Sequence, residues 1–339
     1  MALNKWLLLI VFFFITIVST SAQVLKLVTD KPGAWKIVDF GVYTHYSCGF
    51  SKAATQAHYQ KLLAIAQQAR KNPVLNDIRG FDMMPTFYAQ NCTGRYMYGI
   101  PASVHFEFHT WSLNVKSGKE VRWDIEPPHW DIQVNNLWRY GSGANSIAQI
   151  PKEEQKPGFD KQKFEAATNR LNDLFQEPGK KEVLQPGLDR YGETVILYNP
   201  ERPDYWLPVS LKEVYDILKA YWLAYPDAVT SKITLDVLEQ SYSGFTEAEK
   251  NAPAHAVGML LGQYGADSKQ PAILRINPAY WNKNLPQSAI QFMWFTCPAD
   301  RRELTHSMQE NLKLNSGIYH ENRFENSLEV DLFLPLIDR

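Results

Sequence analysis

The amino-acid sequence reads as an α+β protein, with helices packed on antiparallel or mixed sheets and the chain divided into two domains. Three observations lead there. Apolar residues recur at helical spacing in some stretches and alternate in others. The two kinds of stretch follow one another without a regular β-α rhythm, which argues against a wound parallel sheet. Turn and capping residues stand at the joints between them. A length of 339 residues suits two domains or one large one, and 45% hydrophobic residues allow a sizeable core.

The first 22 residues form a secretory signal by pattern. Lys5 supplies a positive start, Leu7 begins an apolar run that only Thr16 breaks before Ser19, and Ser21 and Ala22 offer a small-residue exit. The run is too short to favour a spanning helix, which needs about 20 apolar residues. The mature chain is therefore expected to start near Gln23, to be secreted or periplasmic, and to keep no membrane span after cleavage.

Two short strands are expected at 24–28 and 35–42, joined by the Pro32-Gly33 turn. Ser51 can cap a helix over 51–70, with Ala54, His58, Leu62, Ile65 and Ala66 on one face and Pro73 stopping it. Strands at 103–115 and 119–125 flank Ser117-Gly118, a hairpin turn signal, and a third strand over 130–137 follows Pro127-Pro128. These complete an N-terminal domain over 23–140. The Gly-, Ser- and Pro-rich stretch 141–158 reads as a linker to a C-terminal domain over 159–339.

In that second part a helix is expected over 159–176, ended by Pro178-Gly179. Residues 184–192 read as turn-rich, and 194–198 as a strand. Ser210 and Glu213 have capping-box spacing, with Val209 and Val214 placed as a hydrophobic staple. Further helices are expected over 233–240, from Thr246 and Glu249, and over 254–263. Strands follow at 272–276 and 289–296, the second apolar enough to be central. Asp300 and Glu303 start a helix running to about Leu312. The alternation over 328–334 reads as a half-buried strand.

Charge and motifs exclude more than they assign. A formal net charge of −1 gives no reason to expect nucleic acid or an anionic surface as partner. There is no G-x-S-x-G, H-E-x-x-H, phosphate-loop or G-x-G-x-x-G sequence, so no cofactor is named. Of Cys48, Cys92 and Cys297, at most one bridge can form within the chain, and Cys48–Cys92 is the nearer pair. Asn91-Cys92-Thr93 matches a glycosylation sequon.

One cluster carries a definite chemistry. In a strand, alternate side chains share a face, so His105, Glu107 and His109 point one way and Val104, Phe106 and Phe108 the other. Two imidazoles and a carboxylate are a common ligand set for zinc or non-haem iron. The ends of such a triplet lie about 13 Å apart, at about 3.3 Å per residue, so a ligand from elsewhere is needed, and His129 is a candidate. The same alternation also describes a solvent-facing polar strip. Asp82, Asp124, Glu126 and Asp131 are scattered carboxylates from which a glycosidase pair could be drawn, a pairing that spatial separation defines and sequence does not give. A thiolate at Cys48, before the 51–70 helix, is a further candidate nucleophile.

These features support three functional expectations. The first is a non-enzymatic exported protein that binds a small ligand, glycan or envelope protein. The second is a metal-dependent hydrolase or oxygenase using His105, Glu107 and His109. The third is a thiol enzyme using Cys48.

Overall fold

Long-range antiparallel pairing around one 13-residue strand organises the molecule. The computed structural model describes residues 25–38, 49–89, 99–136, 157–256, 264–267 and 269–339. The central strand is β3 (Ala102–Asn114). One of its edges holds β1 (Leu25–Leu27) and β2 (Phe81–Ala89): Trp111 accepts from Val28 N and donates to Gly80 O on that side. The other edge holds β4 (Lys119–Arg122) and β5 (His129–Val134), reached through Trp123 N to Thr110 O and Phe108 N to Pro128 O. Beyond β5 the sheet continues through β14 (Phe292–Thr296), β9 (Thr194–Tyr198), β8 (Leu188–Tyr191) and β7 (Lys181–Gln185). All its named strand pairs are antiparallel. A second antiparallel sheet joins β10 (Trp206–Pro208), β13 (Ile273–Ile276) and β6 (Leu174–Gln176). The α+β expectation holds.

Each face of the large sheet has a different partner. Phe106 and Phe108 of β3, Trp130 and Ile132 of β5, and Met293 and Phe295 of β14 form the main core. Helix α1 (Lys52–Ala69), helix α8 (Ile318–Asn326) and a 3-10 helix (Val330–Leu336) bring residues to the same core. Phe324 of α8 meets Phe108 and Trp130, ring to ring. On the opposite face, an aromatic core of Phe175, Tyr205, Trp206, Tyr280, Phe292 and Trp294 joins the small sheet to β8, β9 and β14. A third core lies among α3 (Lys161–Asn172), α4 (Leu211–Ala224) and α5 (Ala228–Ser243). The second face of β2, β3 and β5 instead carries polar side chains.

Local signals explain much of this. Ser51 accepts from Ala54 N at the start of α1, with His58, Leu62, Ile65 and Ala66 buried as the spacing predicts. Gly118 turns the β3–β4 hairpin at φ +64°, a conformation costly for other residues. Ser210 accepts from Glu213 N, while the Glu213 carboxylate is taken by Arg275 at 2.6 Å. The reciprocal capping box stands instead at Thr246 and Glu249, opening α6 (Glu247–Asn251). Asp300 caps α7 (Arg301–Lys313), accepting from both Arg302 N and Glu303 N.

Other expectations are corrected. Trp35 and Val38 make isolated parallel bridges to Met83 and Thr86, beside β2. Pro73 ends α1 but also opens a short helix, α2 (Pro73–Asn76). The 159–176 helix stops at Asn172, and 174–176 becomes β6 because Phe175 and its neighbours pair with β13. The turn-rich 184–192 stretch is the β7–β8 hairpin; a side chain on Gly187, at φ +85°, would lie 2.8 Å from Tyr198 O. His255 and Ala256 form β11, paired with β12 (Tyr264–Gly265), where a helix was expected. The 328–334 stretch is not a strand. Val330, Phe333 and Leu336 share a face of a period-three 3-10 helix, and Phe333 is fully buried against Trp130 and Phe295.

Residues 1–24, Cys48, Asn91 to Thr93, 137–156, and Gly258 with Gly262 lie outside the described residues. So does nearly all of the 141–158 linker; only Pro157 and Gly158 are described, as a turn. Strands from before and after that stretch, β5 and β14, are direct neighbours. Cys297 is buried with a free thiol.

Candidate metal centre

The polar face of β2, β3 and β5 follows from strand alternation. With Phe106, Phe108, Trp130 and Ile132 turned into the core, His105, Glu107 and His109 of β3 and His129 and Asp131 of β5 must face the other way. Register then decides which of them meet. His105 lies opposite Asp131 on β5 and Thr86 on β2; Glu107 lies opposite His129 and Met84; His109 lies opposite Asp82.

Two groups result. In the first, His105, His129 and Asp131 each turn one ligand atom inward, all within 4.8 Å of one another. His105 Nδ1 stands 2.8 Å from Asp131 Oδ1, and His129 Nε2 3.9 Å from Asp131 Oδ2. The two imidazole rings lie 5.6 Å apart, centroid to centroid. Tyr88 of β2 packs edge-on against His105 at 4.4 Å. The outer nitrogen of each imidazole already has an oxygen. His105 Nε2 is 3.1 Å from Ser103 Oγ, and His129 Nδ1 is 3.4 Å from Pro127 O. A carbonyl only accepts, so the Nδ1–H tautomer of His129 would satisfy Pro127 O and leave the Nε2 lone pair for a cation. The Ser103 hydroxyl can donate or accept. Asp131 Oδ1 is buried without a hydrogen-bond partner although His105 Nδ1 is 2.8 Å away, so a His105 proton on Nε2 would leave Nδ1 and that oxygen both open to a cation.

The second group holds His109 between two carboxylates. It donates from Nδ1 to Asp124 Oδ1 (2.9 Å) and from Nε2 to Glu107 Oε2 (3.2 Å). The Glu107 bond above all, then Asp124, raises the His109 pKa, against burial that works to lower it. With a carboxylate at each nitrogen, His109 is held toward the imidazolium form, which has no lone pair to offer. Glu107 also accepts from the Tyr88 hydroxyl, which burial and then this carboxylate push above its ordinary pKa. Arg122 of β4 ties the group down, donating to Asp82 Oδ2 (2.8 Å) and Asp124 Oδ1 (2.7 Å).

Of the residues singled out by alternation, the structure brings His105 to His129 and Asp131, and places Glu107 and His109 beside that triad. The role of Asp131 was not anticipated. Its signal was present as His129-x-Asp131, a second alternating polar pair just after Pro127-Pro128. Only register brings it against His105. Two imidazoles and one carboxylate match the ligand types of zinc sites and of two-His-one-carboxylate iron sites. Three protein ligands leave positions for water or substrate.

No protein-family model, curated protein or solved structure matches this chain. Among the described residues, no helix is long and apolar enough to cross a membrane.

Proposed function

We propose that this protein binds a divalent transition-metal ion, zinc in the first instance, through His105, His129 and Asp131, and works as a metal-dependent hydrolase. The observation that carries the reading is the convergence of three ligand atoms, with an outer oxygen already beside each imidazole and a buried Asp131 oxygen without a hydrogen-bond partner. Such outer hydrogen bonds orient metal-binding imidazoles and raise their basicity. The exposed side of His129 gives water a route to the open position. A zinc-bound water has its pKa lowered to about 7 and becomes a hydroxide nucleophile near neutral pH. Asp131 and the imidazoles would hold the ion, and the Glu107–His109–Asp124 network beside it would keep the strand face rigid and charged. The signal pattern of residues 1–22 supports a place for this chemistry outside the cytoplasm.

The test is zinc titration against a competing chelator, using protein lacking residues 1–22 and purified without affinity metals. The wild type should bind one equivalent. His129→Ala and Asp131→Asn should each weaken binding at least about tenfold, the loss associated even with outer partners of such sites. Equal binding in all three proteins would remove the site. One bound zinc without turnover of ester, phosphate or glycoside substrates would replace the hydrolase with a metal-binding protein.

A further inference from the structure

Helix α5 carries aliphatic side chains on the side that faces away from the core. Its inward side is fixed by α4: Ser231 Oγ donates to Trp222 O at 2.6 Å, Lys219 meets Glu239 at 2.8 Å, and Tyr215 stacks on Tyr242 at 3.8 Å. Ser231 and Leu238 are the residues that it buries. At about 100° per residue, Val229 and Ile233 fall on the far side of the helix, with Val237 next to them. The three are 68%, 59% and 58% exposed. Spaced four residues apart, they form one ridge, of the kind that packs into the grooves of a second helix at a crossing angle of roughly 50°. Burial within the chain does not account for this ridge. Helix propensity does not either, since β-branched residues are weak helix formers.

The flanking charges select a second copy of the chain as the partner. Lys232 and Asp236 lie one turn apart along one flank of the ridge, both exposed, and neither makes an ion pair with a described residue. Glu239, the other charged side chain of α5, is held by Lys219. We propose that α5 pairs with α5 of a second copy, antiparallel about a two-fold axis that passes near Ile233 and Thr234. Such an axis sets each flank against the same flank of the other copy, in reversed order. Lys232 of each copy then faces Asp236 of the other, giving two ion pairs, while the Val229, Ile233 and Val237 ridges interlock. A purely basic or purely acidic surface would match one of these charges and oppose the other. One pair of 16-residue helices is a small interface, so the dimer is a weak one, with a dissociation constant on the order of micromolar. The pairing is independent of the metal triad, which lies on β3 and β5.

Sedimentation velocity from about 1 to about 200 μM tests it, using protein lacking residues 1–22. The wild type should pass from monomer to dimer across this range. Ile233→Asp, Lys232→Glu and Asp236→Lys, all at exposed positions, should each weaken the dimer at least about tenfold with an unchanged circular-dichroism melt. Both charge changes in one chain keep the pattern self-complementary and should restore the dimer. An equal mixture of the two single charge variants should also dimerise, because one copy then offers two acids and the other two lysines. A wild type that stays monomeric throughout overturns the proposal, as does a dimer that survives Ile233→Asp. A dimer indifferent to the charge changes, or one that neither the double variant nor the mixture restores, overturns it too.

Discussion

His109 shows how a single side chain is bound into this sheet face. Both its nitrogens serve carboxylates, so the imidazolium is the form that the fold favours. Because its folded pKa is raised, its contribution is full below the unfolded value of about 6.5 and is lost as pH rises through the raised value. His109→Ala is therefore expected to cost about 1–3 kcal/mol in urea unfolding at pH 5.5, as charged hydrogen bonds do. At pH 9 the loss should be distinctly smaller. An equal loss at both pH values would mean that His109 contributes packing rather than charge. Removing His109 should leave zinc affinity nearly unchanged, which separates a site of His105, His129 and Asp131 from one of His105, Glu107 and His109.

At the scale of elements, α8 carries two carboxyls one turn apart. Burial, then Glu325 and Asp131, push Glu321 up to about 8. Burial raises Glu325 to about 7, with Glu193 adding to it and Asn322 and Arg301 opposing. A carboxyl with a raised folded pKa adds stability that is present below about 4.5 and lost as pH climbs through about 7. Glu325→Gln should therefore leave unfolding free energy at pH 4.5 little changed and raise it at pH 8.5, by of order 1–3 kcal/mol. A variant that stayed as pH-sensitive as the wild type would contradict the assignment. Why Glu325 was not read from the sequence is instructive. Nothing in 318–326 has a strong apolar stripe, yet the helix buries Phe324 and its polar neighbours together.

Element legibility followed the strength of local chemistry. Capped helices and the Gly118 hairpin were readable because a side chain or a turn decides them on the spot. β2 was missed because Pro85 interrupts its pattern. Pro85 lacks an N–H, yet its carbonyl accepts from Val38 N, so its place is beside the irregular 35–38 segment. The 174–176 and 255–256 strands depend on partners distant in sequence, which periodicity does not reveal. For the site, alternation found His105 and Glu107 on the polar face. The convergence of His105 with Asp131 is a property of the β3–β5 register and has no local signature.

At the scale of the whole molecule, one sheet draws strands from both sides of the 137–156 stretch. β14 lies between β5 and β9, and Lys61 of α1 reaches Asp338 at 2.5 Å. A protease that cuts between 137 and 156 should therefore leave two pieces that elute together in size-exclusion chromatography and part only in denaturant. Pieces that separate in native buffer would show that these pairings do not hold the halves together. The same interleaving places the His105, His129 and Asp131 triad close to where the halves meet, since Gln133, two residues beyond Asp131, pairs with Trp294 of β14.

The central claim is a metal ion held by His105, His129 and Asp131, and anomalous diffraction from crystals soaked in zinc tests it most directly. The account predicts a peak at the zinc edge about 2.0–2.2 Å from His105 Nδ1, His129 Nε2 and an Asp131 oxygen. A peak on His109 and Glu107 instead, or none on this face of the sheet, would contradict it.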